Sequence, residues 1–230
     1  METIINTQES IIDNSFLKEL HRLVDKANVF FANKLSKNFT NGLQQEQYIR
    51  YLQMQYHLTK GVQETFLALA SHQETRAYKK LRPFLVNFAY EEEMHYKLAQ
   101  KDLKNLGAEP GRIPFLVELW WAYQKQAVQY KPLERLGATA ILENIGNYAA
   151  PVIKELMGSA DFITKKNTTF TQVHMHEALP HGDQILDALA SENFSEMHQR
   201  QLLEGAEKAT WLYANCIYDW IITGDLALNN

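Results

Sequence analysis

In this chain of 230 residues, the side chains best suited to chemistry are carboxylates and imidazoles that interrupt apolar helical stripes. In NFAYEEEMHYKLAQ, Glu92 and His95 are three residues apart and, at about 100° of rotation per residue, both fall on the stripe of Phe88 and Ala99. Glu93 points to the opposite side. Because a buried carboxylate needs a counter-charge, a proton or a metal, the sequence predicts Glu92-x-x-His95 as an inward ligand pair.

Two later segments repeat this anomaly. Glu143 lies on the apolar stripe of KPLERLGATAILENIGNY, and His174 and His181 are seven residues apart on the face of Phe170. Taken singly, each has a structural alternative: a hydrogen-bonded core histidine for His95, or an ion pair for Glu143. Together they are typical of helical bundles in which glutamates bridge two metal ions and histidines complete each one, with iron, zinc or manganese all compatible with the spacing.

The elements that must position these residues are helices. Apolar residues recur at three- and four-residue spacing, no alternating strand pattern of convincing length occurs, and glycine and proline are scarce at ten and six. The pattern predicts helices at about 15–35, 44–71, 74–106, 114–129, 132–157, 168–190 and 195–222. No repeat or long linker divides the chain, so we expect an all-α, single seven-helix bundle spanning 1–230, with an ordered core at about 15–222.

Composition narrows the class of partner. A net charge of −4 with interspersed signs offers no basic surface for a phosphate backbone, which disfavours nucleic acid and favours a small molecule. The single cysteine, Cys216, can form neither an internal disulfide nor a CxxC pair, as expected in a reducing compartment. The sequence shows neither a signal peptide nor a membrane span, so we expect a cytoplasmic protein, and we also expect a homodimer.

At these residues the chain resembles the heme-oxygenase-like diiron oxidases, and the similarity extends over about 15–222. The family has a Glu and a His before a leucine-rich turn ending in glycine, a Glu on a later helix, and a His-x3-Asp-x2-His helix. The matching residues here are Glu92, His95, Gly107, Glu143, His174 and His181. The resemblance implies a heme-oxygenase-like fold, up to two iron ions per chain, and oxidation of a small organic metabolite by dioxygen.

The chain departs from the family pattern at Ala178, which stands where the family has its aspartate, so one iron would lack a ligand. Glu177 is the candidate replacement, since it can reach the same cluster from the other flank of its helix. Some members take a further ligand from an earlier helix. Glu64 is the candidate there, although it shares a polar face with His57.

Other members of the fold give alternative interpretations. Heme oxygenase would use His21 as the heme ligand, although periodicity predicts that residue to be exposed. Thiaminase II relatives need a nucleophilic cysteine on a central helix, whereas Cys216 lies in the last one. Pyrroloquinoline-quinone synthase relatives hold an acidic substrate with His and Arg and need no metal. The alternatives are therefore a heme-degrading or cofactorless enzyme, or a non-catalytic helical binding protein.

Overall fold

The computed structural model describes residues 15–175 and 181–225, and within these ranges it is all-α, as the sequence predicts. The helices are α1 (Ser15–Asn38), α2 (Gln45–Thr59), α3 (Val62–Ser71), α4 (Leu81–Glu91), α5 (His95–Asn105), α6 (Phe115–Tyr130), α7 (Pro132–Leu142), α8 (Ala150–Gly158), α9 (Thr169–Met175), α10 (His181–Ala190), α11 (Glu196–Ala209) and α12 (Tyr218–Thr223). A 3₁₀ turn covers Thr75–Ala77, and a π-helical segment covers Thr210–Ile217.

The seven predicted helices correspond to seven stretches of the fold, but several are divided. The predicted helix 44–71 is α2 and α3, 74–106 is the 3₁₀ turn with α4 and α5, and 132–157 is α7 and α8. Within the predicted helix 74–106, α4 begins at Leu81, which puts Pro83 in a first turn where its missing N–H costs no hydrogen bond. Pro151 lies in the first turn of α8 in the same way.

Helix α7 is the centre of the fold, and every residue from Pro132 to Ile141 is buried. It crosses α11 at unusually close range, because glycines stand at the contact. A Cβ atom on Gly137 would lie 1.8 Å from the carbonyl oxygen of Leu202, and one on Gly205 would lie 2.0 Å from that of Glu134. The backbones therefore approach to a distance that only glycine permits, which fixes α7 against α11.

A buried carboxylate further anchors α7 to its neighbours. Lys208 Nζ on α11 donates to Glu134 Oε1 at 2.8 Å, Lys131 Nζ lies 3.1 Å from the same oxygen, and Tyr123 OH on α6 donates to Oε2 at 3.0 Å. Burial by itself would raise the pKa of Glu134, but hydrogen bonds from these three groups lower it below its usual value. Glu134 is therefore ionised and paired at neutral pH.

The last stretch of the fold begins at a capped helix and then changes its winding. Ser195, predicted as an N-cap, accepts a hydrogen bond at 3.3 Å from the backbone N–H of His198. After α11 the chain runs through the π-helical segment Thr210–Ile217 into α12. None of the helices in the described ranges is long and apolar enough to cross a membrane.

Candidate metal centre and cavity

The predicted ligands stand at helix ends. Glu92 is the residue that follows α4 and His95 is the first residue of α5, so the pair flanks the short turn between them. Glu143 is the residue that follows α7, and His181 is the first residue of α10. Four separate elements thus direct these side chains to one place.

Glu92 lies at the centre of the cluster and is 4% exposed. Its Oε2 is 2.9 Å from Nδ1 of His95, and its Oε1 is 2.9 Å from Nδ1 of His181. The same His181 nitrogen is 3.6 Å from Glu143 Oε2. Two carboxylates and two imidazoles from three separate parts of the chain therefore meet within ion-pairing distance.

His174, on α9, is the third histidine of the cluster. Its ring centroid is 4.9 Å from that of His95 in an edge-on arrangement. Its Nδ1 is 2.8 Å from the carbonyl oxygen of Phe170, which can only accept a hydrogen bond, so Nδ1 carries the proton. This contact leaves Nε2 of His174 as the basic nitrogen available to a ligand, the tautomer that metal-binding histidines adopt.

A buried aspartate holds the beginning of α9. Asp102 on α5 is 0% exposed, and its Oδ2 accepts a hydrogen bond at 2.8 Å from the backbone N–H of Phe170. Burial raises the pKa of Asp102, although the hydrogen bonds from this turn oppose the shift. The contact ties the helix carrying His174 to the helix that begins with His95, and Asp102 therefore acts as a positioning residue.

The close contacts in the cluster shift the pKa values of Glu92 and His181 in opposite directions. Burial would raise the pKa of Glu92, but the imidazoles of His181 and His95 lower it well below its usual value. Burial would lower the pKa of His181, but the carboxylates of Glu143 and Glu92 raise it. Glu92 is thus ionised, and the nearby His181 holds a proton.

This donor set fits a divalent transition metal such as iron, although its members now contact one another. Glu92 Oε1 is buried and accepts no hydrogen bond from the described residues; its cationic neighbour is the imidazole of His181, whose place a metal ion could take. Within 15–175 and 181–225, no three His, Cys, Asp or Glu side chains stand in an arrangement that could hold a metal as they are. Metal binding would require His181 to release its proton and turn from the carboxylates.

The remaining predicted ligands are not brought to this cluster by the described residues. Glu64 is exposed on α3 and is absent from the cavity wall beside the cluster, because its neighbour Val62 occupies the inward position. Glu177 and Ala178 lie outside the described residues. In contrast, Oε2 of Glu91, a residue that was not a predicted ligand, lies 3.4 Å from Nε2 of His181. The end of α4 at this residue brings it near α10, which a straight helix would not predict.

Four residues of the cluster line a cavity of about 500 Å³. Glu92, Glu143, His174 and His181 contribute to its wall, and most of the rest is apolar or aromatic; the wall includes Phe31, Tyr51, Trp120, Ile153, Phe170 and Tyr213. Burial raises the pKa of Tyr51 to about 12, so that hydroxyl is neutral. The volume is that of a small-molecule site, and its wall combines a mostly apolar lining with several polar groups.

One cavity residue had no place in the sequence analysis. Arg135 on α7 is 2% exposed and lies in the cavity wall. Its Nη1 donates to Thr139 Oγ1 at 2.7 Å, and its guanidinium carbon lies 5.0 Å from the ring centroid of Phe66. In the sequence this arginine follows the charged residue Glu134, a pattern that is also typical of a solvated helix face.

The residues on which the alternative activities depend lie elsewhere. His21 is exposed on α1, as predicted, and is not part of the cavity wall. Cys216 is half-buried in the π-helical segment and is also outside the wall, and burial raises the pKa of its thiol. Neither a heme ligand at His21 nor a cysteine nucleophile is therefore placed in this cavity.

Comparison with known proteins identifies the architecture. Neither a protein-family model nor a curated protein sequence matches the chain. Among solved structures, it is similar to a domain of unknown function with a heme oxygenase-like fold from Shewanella denitrificans, with 21% identity, a TM-score of 0.74, and coverage of 92% of this chain and 93% of that one. It is also similar to a TenA homologue from Pyrococcus furiosus, with 18% identity, a TM-score of 0.65, and coverage of 90% and 99%. The chain has the heme oxygenase-like fold.

Proposed function

We propose that the protein is a non-heme iron enzyme, with up to two iron ions per chain, that uses dioxygen to oxidise a small organic metabolite. The observation that carries the proposal is the meeting of Glu92, His95, Glu143, His174 and His181 in one cluster, four of whose members line a largely apolar cavity. Buried carboxylates and imidazoles cost stability unless they have partners, and this combination is the one that bundles use for iron.

The roles of the residues follow from their positions. Glu92 and Glu143 would supply anionic oxygens, and the three histidines would supply neutral nitrogens, with Nε2 available on His174 because Nδ1 is bonded to Phe170 O. Bound ferrous iron would supply the electrons and the open coordination positions for dioxygen chemistry. The apolar wall would exclude water and hold the substrate beside the cluster.

Iron titration tests this proposal. The full chain, stripped with a chelator and titrated anaerobically with ferrous iron, should take up to two ions per chain by elemental analysis. Glu143→Gln should lower the stoichiometry or weaken binding at least tenfold, because the amide removes an anionic donor. Glu64→Gln is the matched control and should behave as wild type, since Glu64 is exposed and outside the cavity wall. A wild-type protein that binds no iron, or a Glu64→Gln effect equal to that of Glu143→Gln, contradicts the proposal.

A second candidate is a metal-free acid–base enzyme. It is favoured by the ion pairs of Glu92, His181 and Glu143, which already compensate one another's charge, and by the presence of Arg135 in the same cavity. This candidate requires wild-type protein that remains iron-free throughout the titration. The heme alternative requires a Soret band on heme addition that is lost in His21→Ala but kept in His95→Ala.

A further inference from the structure

We propose that Arg135 is the anion-binding residue of the cavity and that the substrate is a carboxylic acid with an apolar body. The identity of the substrate rests on the proposed function. The binding of a carboxylate at Arg135 does not depend on iron and is tested by itself. The carboxylate is assigned to the guanidinium and the apolar body to the aromatic and aliphatic wall.

The guanidinium of Arg135 is buried, and most of its N–H donors make no hydrogen bond with the described residues. Its one side-chain hydrogen bond runs from Nη1 to Thr139 Oγ1, and Nε is buried without a partner among the described residues. A guanidinium presents five N–H donors in a planar fork. Arg135 is a residue of the cavity wall, so its unused donors lie beside the space that a ligand would fill.

Within 15–175 and 181–225, no carboxylate neutralises the charge of Arg135 directly. Among the described residues, no carboxylate oxygen lies within 4.0 Å of the guanidinium. Glu92 and Glu143 influence it from a greater distance, but both are closer to His181. Burial lowers the pKa of Arg135 to about 10, so the guanidinium still carries its proton at neutral pH.

The rest of the cavity wall favours a ligand with an apolar body and a single negative charge. Apart from the metal cluster, the wall is dominated by side chains such as Phe31, Trp120, Ile153 and Phe170, which offer contact area without charge. A single guanidinium balances a monoanion, whereas a phosphate dianion would bring one further negative charge near Glu92 and Glu143. Planar carboxylate oxygens match the guanidinium fork in a bidentate arrangement.

The experiment uses four probes with the same apolar body: 4-phenylbutyrate, 4-phenylbutan-1-ol, 4-phenylbutylamine and 4-phenylbutyl phosphate. Each is titrated calorimetrically into the full-length chain before and after loading with ferrous iron. We expect the wild type to bind the carboxylate at least tenfold more tightly than the alcohol, and the amine most weakly. A wild type that shows no preference for the carboxylate over the alcohol, or that binds the phosphate more tightly, overturns the assignment.

Variants connect this preference to the residue. Arg135→Met fills a similar volume without charge and should reduce carboxylate binding to the level of the alcohol, while alcohol binding stays within about twofold of wild type. Arg135→Lys keeps the charge but loses the fork, and should retain only part of the preference. Arg82→Met, at an exposed arginine of α4, is the matched control and should behave as wild type. A full preference in folded Arg135→Met or Arg135→Lys overturns the assignment, and thermal unfolding of each variant verifies the fold.

The two proposals can fail separately. If the chain binds no iron but the carboxylate preference depends on Arg135, the iron enzyme is wrong and the anion site stands. If iron binds but the carboxylate preference is absent or independent of Arg135, the anion site is wrong and the iron enzyme stands.

Discussion

The close crossing of α7 and α11 makes Gly137→Ala a severe test of the architecture. The new Cβ would lie 1.8 Å from Leu202 O, whereas ordinary contacts begin at 3.4 Å, so the two backbones must separate by about 1.6 Å or distort locally. Overpacking of a core typically costs about 1–3 kcal/mol, and rigid backbone on both sides favours the upper end or more. Alanine recovers up to about 1 kcal/mol of helix propensity, so we expect a net loss of about 2–4 kcal/mol.

Urea denaturation followed by far-UV circular dichroism measures this loss. The matched control is Gly158→Ala at the end of α8. Nothing lies within 4 Å of the position that the new Cβ would take there, so the substitution causes no steric clash. We expect the control to equal the wild type or to exceed it by up to about 1 kcal/mol, because only propensity changes. If Gly137→Ala lies within about 0.5 kcal/mol of the wild type, the close approach of the two helices is refuted.

The same substitution should reach the functional site. Arg135 precedes Gly137 by two residues and Glu143 follows it by six, so a displacement of α7 moves both side chains relative to α10. We therefore expect Gly137→Ala to weaken both iron and carboxylate binding, even at temperatures where the protein remains folded. Gly158→Ala should leave both unchanged.

Two further predictions concern residues that hold the site in place. Asp102→Ala removes the hydrogen-bond acceptor at the start of α9 and should lower the free energy of unfolding, measured in urea, by about 1–2 kcal/mol. Amide hydrogen exchange in Thr169–Met175 should become faster. The control Asp187→Ala, at an exposed residue of α10, should change neither quantity. Glu134 has a lowered pKa in the folded chain, so its stabilising contribution is complete above the unfolded value of 4.5 and is lost as pH falls through the folded value. Glu134→Gln should therefore be less stable than wild type at pH 7 by about 1 kcal/mol or more and should lose less stability on acidification, and equal slopes in the two proteins would contradict this pairing.

Whereas His174 is exposed, Glu92 and His181 are buried, on the faces that periodicity indicates, although the helices there are broken. The reason is that the chain keeps winding through the breaks. The N–H of Glu92 bonds to the carbonyl of Phe88 four residues back, and that of His95 bonds to Glu92 three residues back. Glu143 likewise bonds to Thr139. The rotation per residue changes little across such turns. A straight-helix assumption therefore still indicates which face of the helix a side chain lies on, although it misplaces the helix ends.

The residues that the sequence analysis missed depend on contacts between distant segments. Arg135 is buried by Phe66, which is far away in sequence, and by the packing of α7 at the centre of the fold. Nothing in its local pattern separates it from a solvated arginine beside Glu134. Glu91 comes near His181 only because α4 ends there, and helix ends are the least predictable feature of a helical sequence. Local periodicity therefore finds inward residues but not the partners that neighbouring helices bring to them.

Stability alone does not account for the charges at this site. Replacement of buried charged groups by apolar residues of similar volume is often neutral or stabilising, so a fold that needed only a core would be served as well by apolar side chains at Glu92, His181 and Arg135. Two of these carry opposite charges that pair with each other, and the third faces the same cavity without a direct partner. The paired groups supply donor atoms for a metal that replaces their mutual contact, and the group without a direct partner favours an anion. The two requirements meet in one cavity of about 500 Å³, which is why a metal and an acidic substrate are proposed as occupants of a single site.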